Sequence, residues 1–147
     1  MKNLFNILLF LSMPLSASSI IYTSSYIDVI NENVLKNSSI TVDDGIITSI
    51  DSGYIKVKQT DTLIDLRGKT LMPGLMDMHV HFGGEYQSKA QRPIKTERET
   101  EAILATLHAS ITLKAGFTTV RQVGDSGLVA ISLRDAINAG HVIGPRI

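Results

Sequence analysis

The feature that most constrains this chain is a change of hydrophobic period near residue 72. Before it, short runs rich in Ile, Val, Thr and Tyr are separated by turn residues. After it, strand-length apolar runs alternate with helix-length amphipathic ones. A strand–helix–strand–helix order implies parallel β/α units joined by right-handed crossovers. Residues 75–80 read as the first strand of that region, and Thr96 with Glu99 forms a T-x-x-E capping box that opens a helix. Ile103, Leu104, Leu107 and Ile111 are expected on its buried face, with Gly116 as its stop. Residues 118–123 read as the second strand. A second helix follows over 128–139, with Leu133, Ala136 and Ile137 inward and Gly140 at its end. Gly144-Pro145-Arg146-Ile147 looks like the start of a third strand.

The earlier region reads as a small antiparallel sheet. Ser39 to Ile50 divides into two strands around Asp44-Gly45, where glycine accepts a positive φ cheaply. Further short strands are expected at 26–31, 62–66 and 69–71.

Residues 1–18 read as a signal peptide: Lys2 supplies the basic start, residues 4–15 the apolar stretch, and Ser16, Ala17 and Ser18 a small-residue cleavage site near Ser18. The stretch is well short of the ~20 residues that span a bilayer. The expectation is an exported chain, periplasmic or secreted, with no stable membrane anchor. Lys plus Arg and Asp plus Glu each number 14, so no basic excess offsets a nucleic-acid backbone. Cysteine is absent, which excludes thiolate metal cages and cysteine nucleophiles and leaves His, Asp, Glu or a modified Lys to hold a metal.

Asp77-Met78-His79-Val80-His81 closes the first strand of the β/α region. Alternation sends Asp77, His79 and His81 to one face, and Met78 and Val80 to the other. Imidazoles at i and i+2 can converge on one divalent ion, zinc above all. By itself an H-x-H pair is a weak signal and reads more often as two ordinary strand or loop residues than as metal ligands.

The surrounding run, Ile64-Asp-Leu-Arg-Gly-Lys-Thr-Leu-Met-Pro-Gly-Leu-Met-Asp-Met-His-Val-His81, closely resembles the amidohydrolase superfamily of metal-dependent hydrolases. So does Val42-Asp-Asp-Gly-Ile-Ile-Thr-Ser-Ile50. Downstream, Ala115-Gly-Phe-Thr-Thr-Val-Arg121, Leu133-Arg-Asp-Ala-Ile-Asn-Ala-Gly140 and Gly144-Pro-Arg-Ile147 resemble the branch of imidazolonepropionase-like enzymes and Xaa-Pro dipeptidases. The resemblance implies an α/β fold: a (β/α)8 TIM barrel, here its first two β/α units from residue 72 to 147, preceded at 19–71 by part of a small β-sandwich. A whole barrel needs ~250 residues, so the chain reads as truncated. The resemblance further implies hydrolysis of C–N bonds, amide or peptide-like, by water activated at one or two divalent metals, usually zinc. His79 and His81 carry over as ligands of the more buried metal. A carboxylated Lys or Glu on strand 4, His on strands 5 and 6 and a catalytic Asp on strand 8 complete the family's site, so no catalytic residue falls within these residues.

Asp77, Arg121 and Gln122 are candidates for supporting the ligands or facing the pocket; family members often carry Asp at the position of Gln122. His108 is expected on the outer face of the first helix, and His141 in a loop away from the site. Asp125 reads as a loop or N-cap residue, and Lys114 as a helix-end cation. Glu85, Tyr86 and Lys89 occupy the loop after the histidines. The implied partner is a small molecule or short peptide, with no nucleic acid, and a homo-oligomer is compatible with the chain. The competing reading is a naturally short, non-catalytic chain that keeps the scaffold and binds metal or a partner.

Overall fold

The computed structural model describes residues 17–83, 98–125 and 127–147. The expected signal segment up to residue 16, the capping residue Thr96, Gly84 and the loop candidates Glu85, Tyr86 and Lys89 lie outside the described residues. The chain divides between Pro73 and Gly74 into two compact units.

The first unit is a four-stranded sheet built from β1 (Ser19–Asp28), β2 (Asn33–Asp43), β3 (Ile46–Ser52) and β4 (Thr62–Leu71), in the order β3-β2-β1-β4. β1 pairs antiparallel with β2, and β2 with β3, around a turn in which Asp44 (φ 49°) and Gly45 (φ 78°) are both left-handed. Two positive φ angles match the right-handed twist of a hairpin. The sheet is mixed, not antiparallel, because β4 pairs parallel with β1. The chain leaving β3 on one edge must therefore reach the far edge. It is tied back on the way by Ser39 Oγ, which donates to the Gly53 carbonyl at 2.8 Å and accepts from Ile55 N at 3.0 Å. The Tyr22 hydroxyl donates to the Ile55 carbonyl.

Two boundaries differ from the sequence reading for local reasons. The strand expected at 26–31 begins earlier and stops at Asp28, whose Oδ1 accepts from the amides of Ile30 and Asn31, both at 3.1 Å, and so turns the chain. The two runs expected at 62–66 and 69–71 are one strand, β4, interrupted by a bulge opposite Ser24. There Gly68 (φ 89°) donates its amide to Ser24 Oγ at 2.7 Å. Ile20 and Ile40 are the buried large apolar residues of this sheet, while Ile46, Ile47, Leu63 and Ile64 are exposed.

The second unit carries β5 (Leu75–Val80), α1 (Arg98–Lys114), β6 (Phe117–Gln122) and α2 (Val129–Asn138). β5 and β6 are parallel neighbours, as a β/α crossover requires. Arg146 adds a parallel bridge to Thr119, exchanging backbone bonds with Val120 (2.8 Å) and Thr118 (2.9 Å), so the last residues do begin a third strand position. A Cβ on Gly74 would lie 2.0 Å from Thr118 Oγ1, so only glycine lets β5 start this close to β6.

The core gathers Phe82, Ala105, Ala109, Val120, Val129 and Leu133 between the strands and both helices. α1 corrects one expectation. Its buried residues are Ala105 and Ala109, whereas Ile103, Leu107 and Ile111 are exposed at 70%, 53% and 55%. Small side chains on that side let α1 lie close to β6 and α2. Leu133 on α2 is buried as expected, and Gly140 (φ 74°) ends that helix. Among the described residues no helix is long and apolar enough to cross a membrane.

Candidate functional site

β5 is the element that presents the histidine pair. Its alternation brings Asp77, His79 and His81 to one side, while Val80 packs against the helical core on the other. The imidazole Nε2 atoms of His79 and His81 stand 3.3 Å apart, with ring centroids 5.3 Å apart and planes tilted by 59°. That separation suits a long hydrogen bond. It also suits two nitrogens on one tetrahedral ion, because Zn–N bonds of about 2.0–2.1 Å place such nitrogens about 3.3–3.4 Å apart. The donor set therefore fits a late first-row divalent metal.

Further contacts define the surroundings. His81 Nδ1 lies 2.7 Å from the Gly124 carbonyl oxygen. A carbonyl can only accept, so Nδ1 is the donor, and in the neutral ring Nε2 keeps its lone pair facing His79. Gln122 Nε2 donates to the same carbonyl at 2.9 Å, while its Oε1 accepts from Phe82 N at 3.0 Å. The Phe82 carbonyl in turn accepts from His108 Nδ1 at 3.3 Å. Asp77 Oδ1 accepts the backbone amide of His79 at 3.0 Å, bracing the strand between them.

Of the sequence candidates, His79 and His81 thus meet ring to ring, Gln122 joins them through the Gly124 carbonyl, and Asp77 reaches the His79 backbone amide alone. Arg121 does not join them. With Gln122 it lines an open cavity of about 460 Å³ beside the end of β6, which Arg134 of α2 also borders and to which neither histidine contributes. His108, expected on the outer face, is half-buried and turned toward Phe82, because it shares the helix side of Ala105 and Ala109. Recognising that alanine pair as the buried face would have found it. Gly124 acts through its backbone oxygen, for which a sequence carries no signal. Asp125 Oδ2 accepts from the Ala130 amide and so satisfies the first turn of α2 from the preceding loop. His141 lies in an exposed turn after α2. Among the described residues, no group of three or more His, Asp or Glu side chains converges.

The profile of the Amidohydrolase family matches residues 70–147. A solved Xaa-Pro dipeptidase with methionine bound in its active site is 60% identical, with a TM-score of 0.84 over 89% of this chain and 32% of its own. The dihydroorotase of Chlorobaculum tepidum is 47% identical over 62 residues, which is 38% of this chain and 14% of that protein. The imidazolonepropionase of Clostridium tetani is 37% identical over 59 residues, 37% of this chain and 14% of that protein. The chain thus spans about a third or less of the length of each of these proteins.

Proposed function

This chain belongs to the amidohydrolase family, and from that premise we propose that it is part of an exported, metal-dependent hydrolase of C–N bonds in which His79 and His81 are metal ligands. The observation that carries the reading is the 3.3 Å approach of the two Nε2 atoms, with the His81 Nδ1 proton committed to Gly124. That division of the ring, one nitrogen bonded to a carbonyl and the other left with a lone pair, is how ligating imidazoles are oriented.

When bound, a divalent metal supplies polarisation of the scissile carbonyl and a lowered pKa of water. The residues of this chain orient and hold. Asp77 braces the His79 backbone, Gly124 sets the His81 tautomer, and β5 and β6 deliver these groups at the carboxyl ends of parallel strands, where barrel enzymes place their chemistry. Two imidazoles fall short of the three protein ligands usual at catalytic zinc. In this reading the second unit is the opening of a (β/α)8 barrel whose other strands supply the rest. The first unit is part of a β-sandwich, and residues 1–18 are a removable export signal.

The likeness to an Xaa-Pro dipeptidase favours a short peptide with an Xaa-Pro bond as substrate. The test is proline release from a panel of Xaa-Pro dipeptides by the natural gene product, before and after chelation. Release that stops on chelation and returns with Zn²⁺ is expected. Release that persists without metal contradicts the reading. The alternative of a non-catalytic metal-binding chain draws on the absence, among the described residues, of a third converging ligand; it predicts bound metal with no proline release.

A further inference from the structure

We propose that Gln122 is a positioning residue that fixes His81 for metal binding by holding the Gly124 carbonyl. The proposal rests on the reading of His79 and His81 as ligands. Gly124 lies two residues past the end of β6, in the loop that follows it. The last backbone bond between the two strands there is from Val123 N to the Val80 carbonyl, at 3.2 Å. A glycine peptide beyond that point has no strand pairing to orient its carbonyl and the widest backbone freedom of any residue type, and with it moves the acceptor that sets the His81 tautomer. The Gln122 amide removes that freedom. Nε2 donates to the Gly124 oxygen, and Oε1 accepts from Phe82, the residue immediately after His81. One side chain thus clamps both the acceptor of the imidazole and the backbone that carries it. Only one orientation of the amide satisfies both contacts, since an N–H must face the carbonyl and an oxygen must face the Phe82 amide.

In this chain the role is filled by a donor and an acceptor on one planar group, where family members often carry Asp. A methionine at 122 would supply neither. A glutamate would keep the acceptor for Phe82 but turn an oxygen toward the Gly124 carbonyl, so it separates the tautomer-setting contact from the merely structural one.

The experiment uses the full-length natural protein stripped of metal, with Gln122→Met, Gln122→Glu and His81→Ala compared with the parent. Zn²⁺ affinity is read by competition with a chelating indicator, and the His81 tautomer by ring ¹⁵N shifts in the metal-free protein. Both Gln122 variants are expected to weaken Zn²⁺ binding about 10- to 100-fold and to lower the share of the Nδ1–H tautomer. If Gln122→Met does not fold, Gln122→Glu, which retains the Phe82 contact, decides the matter. Parental affinity and tautomer in the Glu variant, alongside loss of Zn²⁺ in His81→Ala, overturn the Gln122 role alone. Parental affinity in His81→Ala overturns the ligand reading and this proposal with it.

Discussion

Arg67 contacts Asp65 through Nε at 2.9 and 3.0 Å and Nη2 at 2.5 Å, and lies over the rings of Tyr22 and Tyr54. Its side-chain hydrogen bonds draw the Asp65 carboxyl down to about 2. A depressed folded-state value means that the pair contributes above the ordinary carboxylate range, and that this contribution disappears as pH falls through about 2. Arg67→Gln should therefore return the Asp65 titration, followed by its side-chain ¹³C shift, toward 3.8; an unmoved midpoint would show that Arg67 is not the cause. Gly74 offers a steric counterpart. Gly74→Ala should cost about 1–3 kcal/mol of unfolding free energy, because its Cβ would overlap Thr118. A denaturation midpoint equal to the parent's would mean that the strands separate there at no cost.

At the level of elements, α1 turns its small residues to the core of this unit. Ala105 and Ala109 are fully buried, so Ala109→Leu should destabilise by about 1–3 kcal/mol through overpacking. A stability loss below about 0.5 kcal/mol, the range of surface changes, would contradict the assignment of the inner face. The same helix shows what the sequence could and could not reveal. Its position and the parallel pairing of β5 with β6 were legible, because alternating elements leave few topologies open. Its inner face was not, because Ile103, Leu107 and Ile111 form a stripe as regular as a core stripe. The parallel pairing of β4 with β1 was equally hidden, since strand runs alone do not declare the edge on which the chain returns. The histidine pair was legible, because strand alternation decides which side chains share a face. Its carbonyl partner was not, because any residue type can provide a backbone oxygen.

Across the whole molecule, one four-stranded sheet and one β/α unit pair each hold their own contacts. The second unit carries the histidine pair and nearly all of the family match. The account turns on whether His79 and His81 bind a metal together. The most direct measurement is the metal stoichiometry, by elemental mass spectrometry, of the natural protein beside His79→Ala and His81→Ala variants purified identically. The account predicts a bound divalent metal, zinc foremost, that either substitution removes or sharply depletes while the fold, read by circular dichroism, persists. Metal retained at parental stoichiometry in both folded variants, or absent from the parent and not taken up on adding Zn²⁺, would contradict it.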